Sequence, residues 1–319
     1  MPGTLPRSPD ERISRIKSIP FLLMHVAAVA AFFTDFGVKE LVVCVALYYG
    51  RMFFITAGYH RYFAHRGFKL GRWPQFLFAL GGTLAAQKGP LWWAGHHRHH
   101  HRHSDTAADI HSPKKGFWWS HVGWILCSKY DATPLPTMKD FTRFPELRWL
   151  DRHHLVPPAV VGLLLLLVGG LPMMLFGGVL STVLLYHGTF SINSLSHVFG
   201  RRRYVTSDTS RNSFLLALLT CGEGFHNNHH YYQSTANNGF FWWELDLSYY
   251  GLRILALLGI AHELRTPPPH VLTRDLVKDG NHDVGMLGEA QRAASSTSSS
   301  SLAQAFSTLA IDGPNENRT

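Results

Sequence analysis

Apolar residues in this 319-residue chain fall into blocks instead of being spread along it. Residues 19–33 and 38–57 form one pair of blocks, parted by Thr34, Asp35, Phe36 and Gly37, a tight-turn composition. Residues 155–168 and 173–192 form a second pair, parted by the helix breakers Gly169, Gly170 and Pro172. A stretch of ~20 apolar residues crosses the ~30 Å hydrocarbon core of a bilayer. The pattern predicts an all-α integral membrane protein with four transmembrane helices arranged as two hairpins, although the first block is short for a crossing.

The segments between the blocks are polar. Residues 59–153 hold one apolar piece, 73–87, too short and too glycine-rich (Gly81, Gly82) for a span. It reads as a helix lying at the interface or lining a cavity. Residues 201–270 are polar again, with apolar pieces at 214–221 and 252–260. The chain thus divides into an N-terminal segment (1–18), one domain (19–270) and a polar tail (271–319). From Ala293 the tail is rich in Ser and Thr, a composition that predicts disorder.

Charge sets the orientation. Formal net charge is +9, and charged residues make up 16% of the chain, below the roughly 25% usual in soluble domains. A basic chain raises nucleic-acid binding as a first alternative. Here the cations flank apolar blocks, which fits a membrane surface and an acidic protein partner better and excludes nucleic acid from the expected partners. Lys39 is the main cation in the turns on one side; the N-terminal arginines, Arg61, Arg66, Lys114, Lys115, Arg152 and Arg201–Arg203 lie on the other. The positive-inside rule then places both termini and every polar segment in the cytoplasm. Arg51, inside the second block, is expected to snorkel or to face a site. Cys44, Cys127 and Cys221 are far apart and form no metal or disulfide pattern.

The chemistry is concentrated in histidines. Residues 96–103 read His-His-Arg-His-His-His-Arg-His. On a helix, positions i, i+3 and i+4 share a face. Two overlapping triplets fit: His96, His99, His100 and His97, His100, His101. The spacing recurs at His226, His229 and His230, and His60 and His65 form an H-x4-H pair. Adding His197 gives nine plausible imidazole ligands, more than one metal holds. A two-metal site is expected, with iron, zinc, copper and nickel all open to imidazole. On an α-helix His60 and His65 would stand about 140° apart, so they are expected at a helix exit with different metals within reach. Asn193 shares a face with His197 and is placed for a metal-bound water or a helix-end hydrogen bond. Glu223, Asp105 and Asp109 suit either ring orientation or solvated surface positions. His25 and His187 are expected to face the helix bundle, and His111 and His121 follow the run without its spacing.

Together, H-R-Y-F-A-H at 60–65, H-R-H-H-H at 97–101, N-S-L-S-H at 193–197 and G-E-G-F-H-N-N-H-H at 222–230 resemble the membrane fatty acid desaturases, nearest to the delta-9 acyl-CoA (stearoyl-CoA) group. The resemblance covers about residues 20–265. It selects the His97, His100, His101 triplet and implies His60, His65, His97, His100, His101, His197, His226, His229 and His230 as ligands of two iron ions, with Asn193 reaching one through water. It also implies a cytosolic helical cap over the four spans and a kinked, enclosed acyl tunnel. Gln87, Trp93 and Trp124 stand at substrate-contacting positions, Gln87 and Trp93 near the kink. The implied reaction takes two hydrogens from C9 and C10 of a saturated acyl chain, with molecular oxygen as co-substrate. Electrons come from a separate ferredoxin or cytochrome b5-like donor with its reductase, since the chain has no H-P-G-G haem motif and no G-x-G-x-x-G.

One departure matters. The acyl-CoA enzymes carry W-A-R-D where this chain has Trp93, Ala94, Gly95 and His96. The Arg and Asp available to a head group are missing, so acyl carrier protein and intact lipid stand as carriers beside acyl-CoA, the carrier expected from the resemblance. A membrane hydroxylase or alkane monooxygenase shares the histidine logic. A metal transporter is the alternative outside enzymes, although transporters place ionisable groups near mid-membrane.

Overall fold

The computed structural model describes residues 4–277. The stretch expected to be disordered, from Ala293, lies outside the described residues, whereas Val271 and Leu272, at the start of the tail, pack in a cluster with Tyr204 and Phe240. The chain is mostly helical; a short antiparallel pair, β1 (Lys69–Leu70) with β2 (Ala261–His262), joins two segments far apart in the sequence.

Three helical stretches among the described residues are long and apolar enough to cross a membrane: Arg15–Phe33, Val38–Ala64 and Val156–His197. The first contains α1 (Arg15–Ala30), whose N-cap Ser14 accepts the Lys17 backbone N–H. The second begins as α2 (Val38–Phe53), with Glu40 bonded back to the Gly37 backbone N–H at 2.8 Å. It continues without a break as a π-helix, Phe54–Ala64. This stretch therefore outruns the expected end near 57: its polar His60 and Arg61 stay helical because buried partners satisfy them.

The third stretch runs through α6 (Val156–Pro172), a π-helical segment (Met173–Leu180) and α7 (Ser181–Ser194). It breaks where the sequence predicts. Gly169 and Gly170 leave helical geometry, and Gly170 takes φ +66°, a conformation that suits glycine. The two limbs fold together, so that a Cβ on Gly178 would come within 2.9 Å of Leu165. Arg51 neither snorkels nor reaches the histidines. Its guanidinium is buried, donating to Ser181 and Thr182 hydroxyls at 2.6 Å each. His25 and His187 bond to each other at 3.0 Å, and His187 to His121 at 2.9 Å, which links α1, α7 and the turn at Trp119–Gly123.

The remaining helices pack against the ends of these stretches: α3 (Arg72–Thr83), α4 (Pro90–His103), α5 (Pro145–Arg152), α8 (Phe214–Leu219), α9 (His226–Tyr231) and α10 (Leu247–Leu257). Tyr59, Phe63, Phe141, Leu147 and Leu150 form the fully buried centre of the core between the π-helix, α4 and α5.

The N-terminal segment is not a loose polar leader. Leu5 N–H donates to Lys114 O, and Ser14 N–H to Leu126 O, both at 2.9 Å. Glu11 is buried, accepting from Lys115 Nζ at 2.7 Å and from the Tyr130 hydroxyl. Burial would raise the Glu11 carboxyl, but these donors hold it below its ordinary value. Replacing Glu11 with Ala leaves the Lys115 ammonium buried without its partner. The strap should then detach, and limited trypsin digestion should cut after Arg7 and Arg12 faster than in wild type.

Candidate metal centre

The histidine run lies on α4. Gly89 and Pro90 start this helix, and the Asp151 carboxylate caps it, accepting from Leu91 N–H at 3.0 Å and Trp92 N–H at 2.8 Å. One face of the helix's last two turns meets the other histidine motifs in the interior.

Nine imidazoles collect in two neighbouring sets. His60, His65, His97, His101 and His229 form one; His100, His197, His226 and His230 form the other. Within each set the ligand nitrogens lie within 4.8 Å of one another. His65 Nε2 faces His97 Nε2 at 2.9 Å; His229 Nε2 faces both His60 Nε2 at 3.0 Å and His101 Nε2 at 2.9 Å. His197 Nε2 faces His226 Nε2 at 3.1 Å. The sets interlock: α4 gives His97 and His101 to one and His100 to the other, while α9 gives His229 to one and His226 and His230 to the other.

His60 and His65 belong to one set, against the expectation that they reach different metals. The cause is the π-helix. His65 N–H bonds to His60 O at 3.1 Å, an i→i+5 turn that brings residues five apart to one side, and the ring centroids lie 4.8 Å apart. The competing register fails on position. His99 turns outward to Ala108 O at 3.0 Å, and His96 is buried between Trp92 and Trp124.

Carboxylates hold the outer ring nitrogens. His60 Nδ1 meets Glu223 at 2.6 Å, His100 Nδ1 meets Asp109 at 3.0 Å, His197 Nδ1 meets Asp105 at 3.3 Å, and His230 Nδ1 meets Asp208 at 2.7 Å. A proton on each Nδ1 leaves a lone pair on Nε2 aimed inward. His230 Nε2 is buried without a hydrogen-bond partner among the described residues. Facing lone pairs repel one another, and a shared cation removes the repulsion. Burial would raise the acids, yet the neighbouring imidazoles win: Asp109 is pulled down to about 2 by His100, and Asp105 and Asp208 lie well below the usual carboxylate range. Burial, reinforced by neighbouring imidazoles, pushes His97, His101, His226 and His229 well below their ordinary value, which favours the neutral ring that can offer a lone pair. The donor set fits two metal ions that accept imidazole.

Asp208 escaped the sequence reading because it sits on a loop with no periodicity. His111 also joins the centre, its ring 4.1 Å from that of His100. Arg61 counts as a cytosolic cation by sequence, but is fully buried between Glu223 and Asp246. Asp208→Asn should remove the anion that orients His230. Metal affinity is expected to fall roughly 10–100-fold, as read by a chelator competition titration.

A mainly apolar cavity of about 680 Å³ reaches the centre at His97 and His111, and Asn193 also lines it. Gln87, Trp93 and Trp124 all line it. Gln87 donates to Thr189 Oγ1 at 2.8 Å, and Trp93 stacks on His97 with centroids 5.0 Å apart. A smaller polar cavity of about 310 Å³ touches the centre at His101 and His230.

The fatty acid desaturase family model matches residues 40–262. The chain is 38% identical to the sn-1 stearoyl-lipid 9-desaturase of Anabaena variabilis, over 82% of this chain and 97% of that protein. It is 36% identical to delta-9 acyl-lipid desaturase 1 of Arabidopsis thaliana, over 81% and 85%. To the acyl-CoA C20 Delta5-desaturase of Anemone leveillei it is 37% identical, over 76% and 79%.

Proposed function

This chain belongs to the fatty acid desaturase family, and from that premise we propose that it introduces a cis double bond between C9 and C10 of a saturated acyl chain carried on a membrane lipid. It is an oxidoreductase acting on fatty acyl chains. The observation that carries the reading is the pair of inward-facing histidine sets at the end of an apolar cavity.

We assign His60, His65, His97, His101 and His229 to one iron, and His100, His197, His226 and His230 to the other, with Asn193 completing the second through water. Two irons held there would supply the oxygen-activating redox chemistry. Overall, the acyl chain loses two hydrogens, and oxygen leaves as two waters after taking these with two protons and two electrons from a separate ferredoxin or cytochrome b5-like donor. The protein's own part is positional. The cavity walls exclude water, Trp93 and Gln87 set where the chain bends beside His97, and depth of insertion selects among chemically equal methylenes.

The lipid carrier is favoured over CoA by two residues. A Cβ on Gly95 would lie 2.6 Å from Pro134, so no longer side chain fits there, and His96 is buried. Neither can serve a head group outside. The topology that accompanies this reading has four spans, both termini and the metal centre in the cytoplasm, and residues 19–270 as the catalytic domain. It is supported by the break at Gly169–Gly170.

Expression in a host lacking its own delta-9 desaturase tests the function. Membrane lipids should gain a delta-9 alkene of mass two below the saturated parent. A product sixteen mass units heavier would mean hydroxylation, and bound metal without any lipid product would favour transport.

A further inference from the structure

We propose that the acyl chain reaches the metal centre sideways from the bilayer, through a cleft between α1 and α6, while still part of an intact glycerolipid. This deepens the desaturase reading and rests on it. The apolar cavity is walled by α1 at Pro20, Phe21 and Met24 and by α6 at Ala159, Gly162 and Leu165. Pro20 and Ala159 line the cavity and are exposed, not packed away by a neighbouring helix. Both lie within stretches apolar enough to cross a membrane, so the opening between them faces hydrocarbon.

The α6 wall is shaped for passage. Pro158, Ala159, Gly162 and Leu165 form one stripe along the helix. Its middle is small, and a Cβ on Gly162 would meet nothing within 4 Å. At the polar end of the cleft, Lys17 and Lys88 both face Asp131, the latter at 3.6 Å, beside His154 in the cavity wall. Lys17 and Lys88, with Asp131 between them and the Asp151 carboxylate acting on Lys88, place charged groups where α1 and α6 begin, at the level of lipid head groups. A diacyl lipid could place one chain in the cleft and keep the other in the bilayer. A tunnel open only to water would force both chains through an aqueous step.

The test uses vesicles of phosphatidylglycerol with oleoyl at sn-2 and stearoyl, palmitoyl or myristoyl at sn-1. Wild-type enzyme should desaturate the intact lipid, as read from its mass without hydrolysis. Gly162→Phe, which plugs the cleft, should lower the rate at least tenfold for all three chain lengths with bound iron unchanged; Gly162→Ala, which leaves the cleft open, should lower it far less. If Gly162→Phe loses iron, Ala159→Trp carries the same test. Loss confined to the stearoyl lipid would make this region the methyl end of a closed tunnel and overturn the proposal, as would full activity of the plugged enzyme. A wild type active on stearoyl-CoA but not on intact lipid would overturn it while leaving the desaturase reading standing. Inactivity on both substrates would overturn the reading on which it rests.

Discussion

His101→Ala is expected to abolish desaturation and lower bound iron, while His99→Ala keeps both within about twofold. The two residues are two positions apart, and roughly 200° of helix rotation separates them. His101 Nε2 faces His229 inside the five-histidine set, and its ring lies 4.4 Å from that of His230 in the other. Its loss opens a coordination position and removes a wall between the two sets. His99 bonds to a backbone oxygen at the surface and touches neither set. Iron should be measured per mole of protein in the same membrane preparation as activity. Iron lost from His99→Ala and kept in His101→Ala would sink the whole ligand assignment.

Arg61→Leu should cost about 3–5 kcal/mol of stability, the range for breaking a buried ion pair by removing one partner. Arg61 is fully buried and donates to Glu223 at 2.9 Å, to Asp246 at 2.8 Å and to Ala236 O at 2.8 Å. Leucine fills part of the space but leaves two carboxylates without their cation. A fall in melting temperature of about 6–20 °C is expected, taking ~2–4 °C per kcal/mol for a domain of this size. Metal affinity should fall with it, because Glu223 also orients His60. An unchanged melting temperature would mean that the pair forms only with the metal-loaded centre or not at all.

These two residues show how the sequence could be read and where it could not. The run at 96–103 reads as a metal-binding stretch because it lies on an ordinary α-helix, but spacing leaves two registers open, and only the resemblance chooses between them. The H-x4-H pair was misjudged because the same arithmetic fails on a π-helix, and no periodicity announces an i→i+5 turn. Apolar blocks predicted the long helices and the Gly169–Gly170 break, since composition and glycine chemistry decide both. Charge was less informative. Arg61 and Glu11 look solvated by type, and only long-range partners, 162 and 104 residues away, reveal them as buried. Asp208 is 22 residues before its histidine on an irregular loop, where neighbours in space leave no mark in the sequence.

If both histidine sets take an ion, their sharing of α4 and α9 should make loading of the centre cooperative. An ion in the first set fixes His97, His101 and His229, and in doing so fixes the backbone that carries His100, His226 and His230. The second ion then meets ligands whose ordering cost has already been met by the first, which is positive coupling between sites. Half-filled molecules should be scarce at every iron concentration. A titration that pauses at one ion per chain would contradict that coupling.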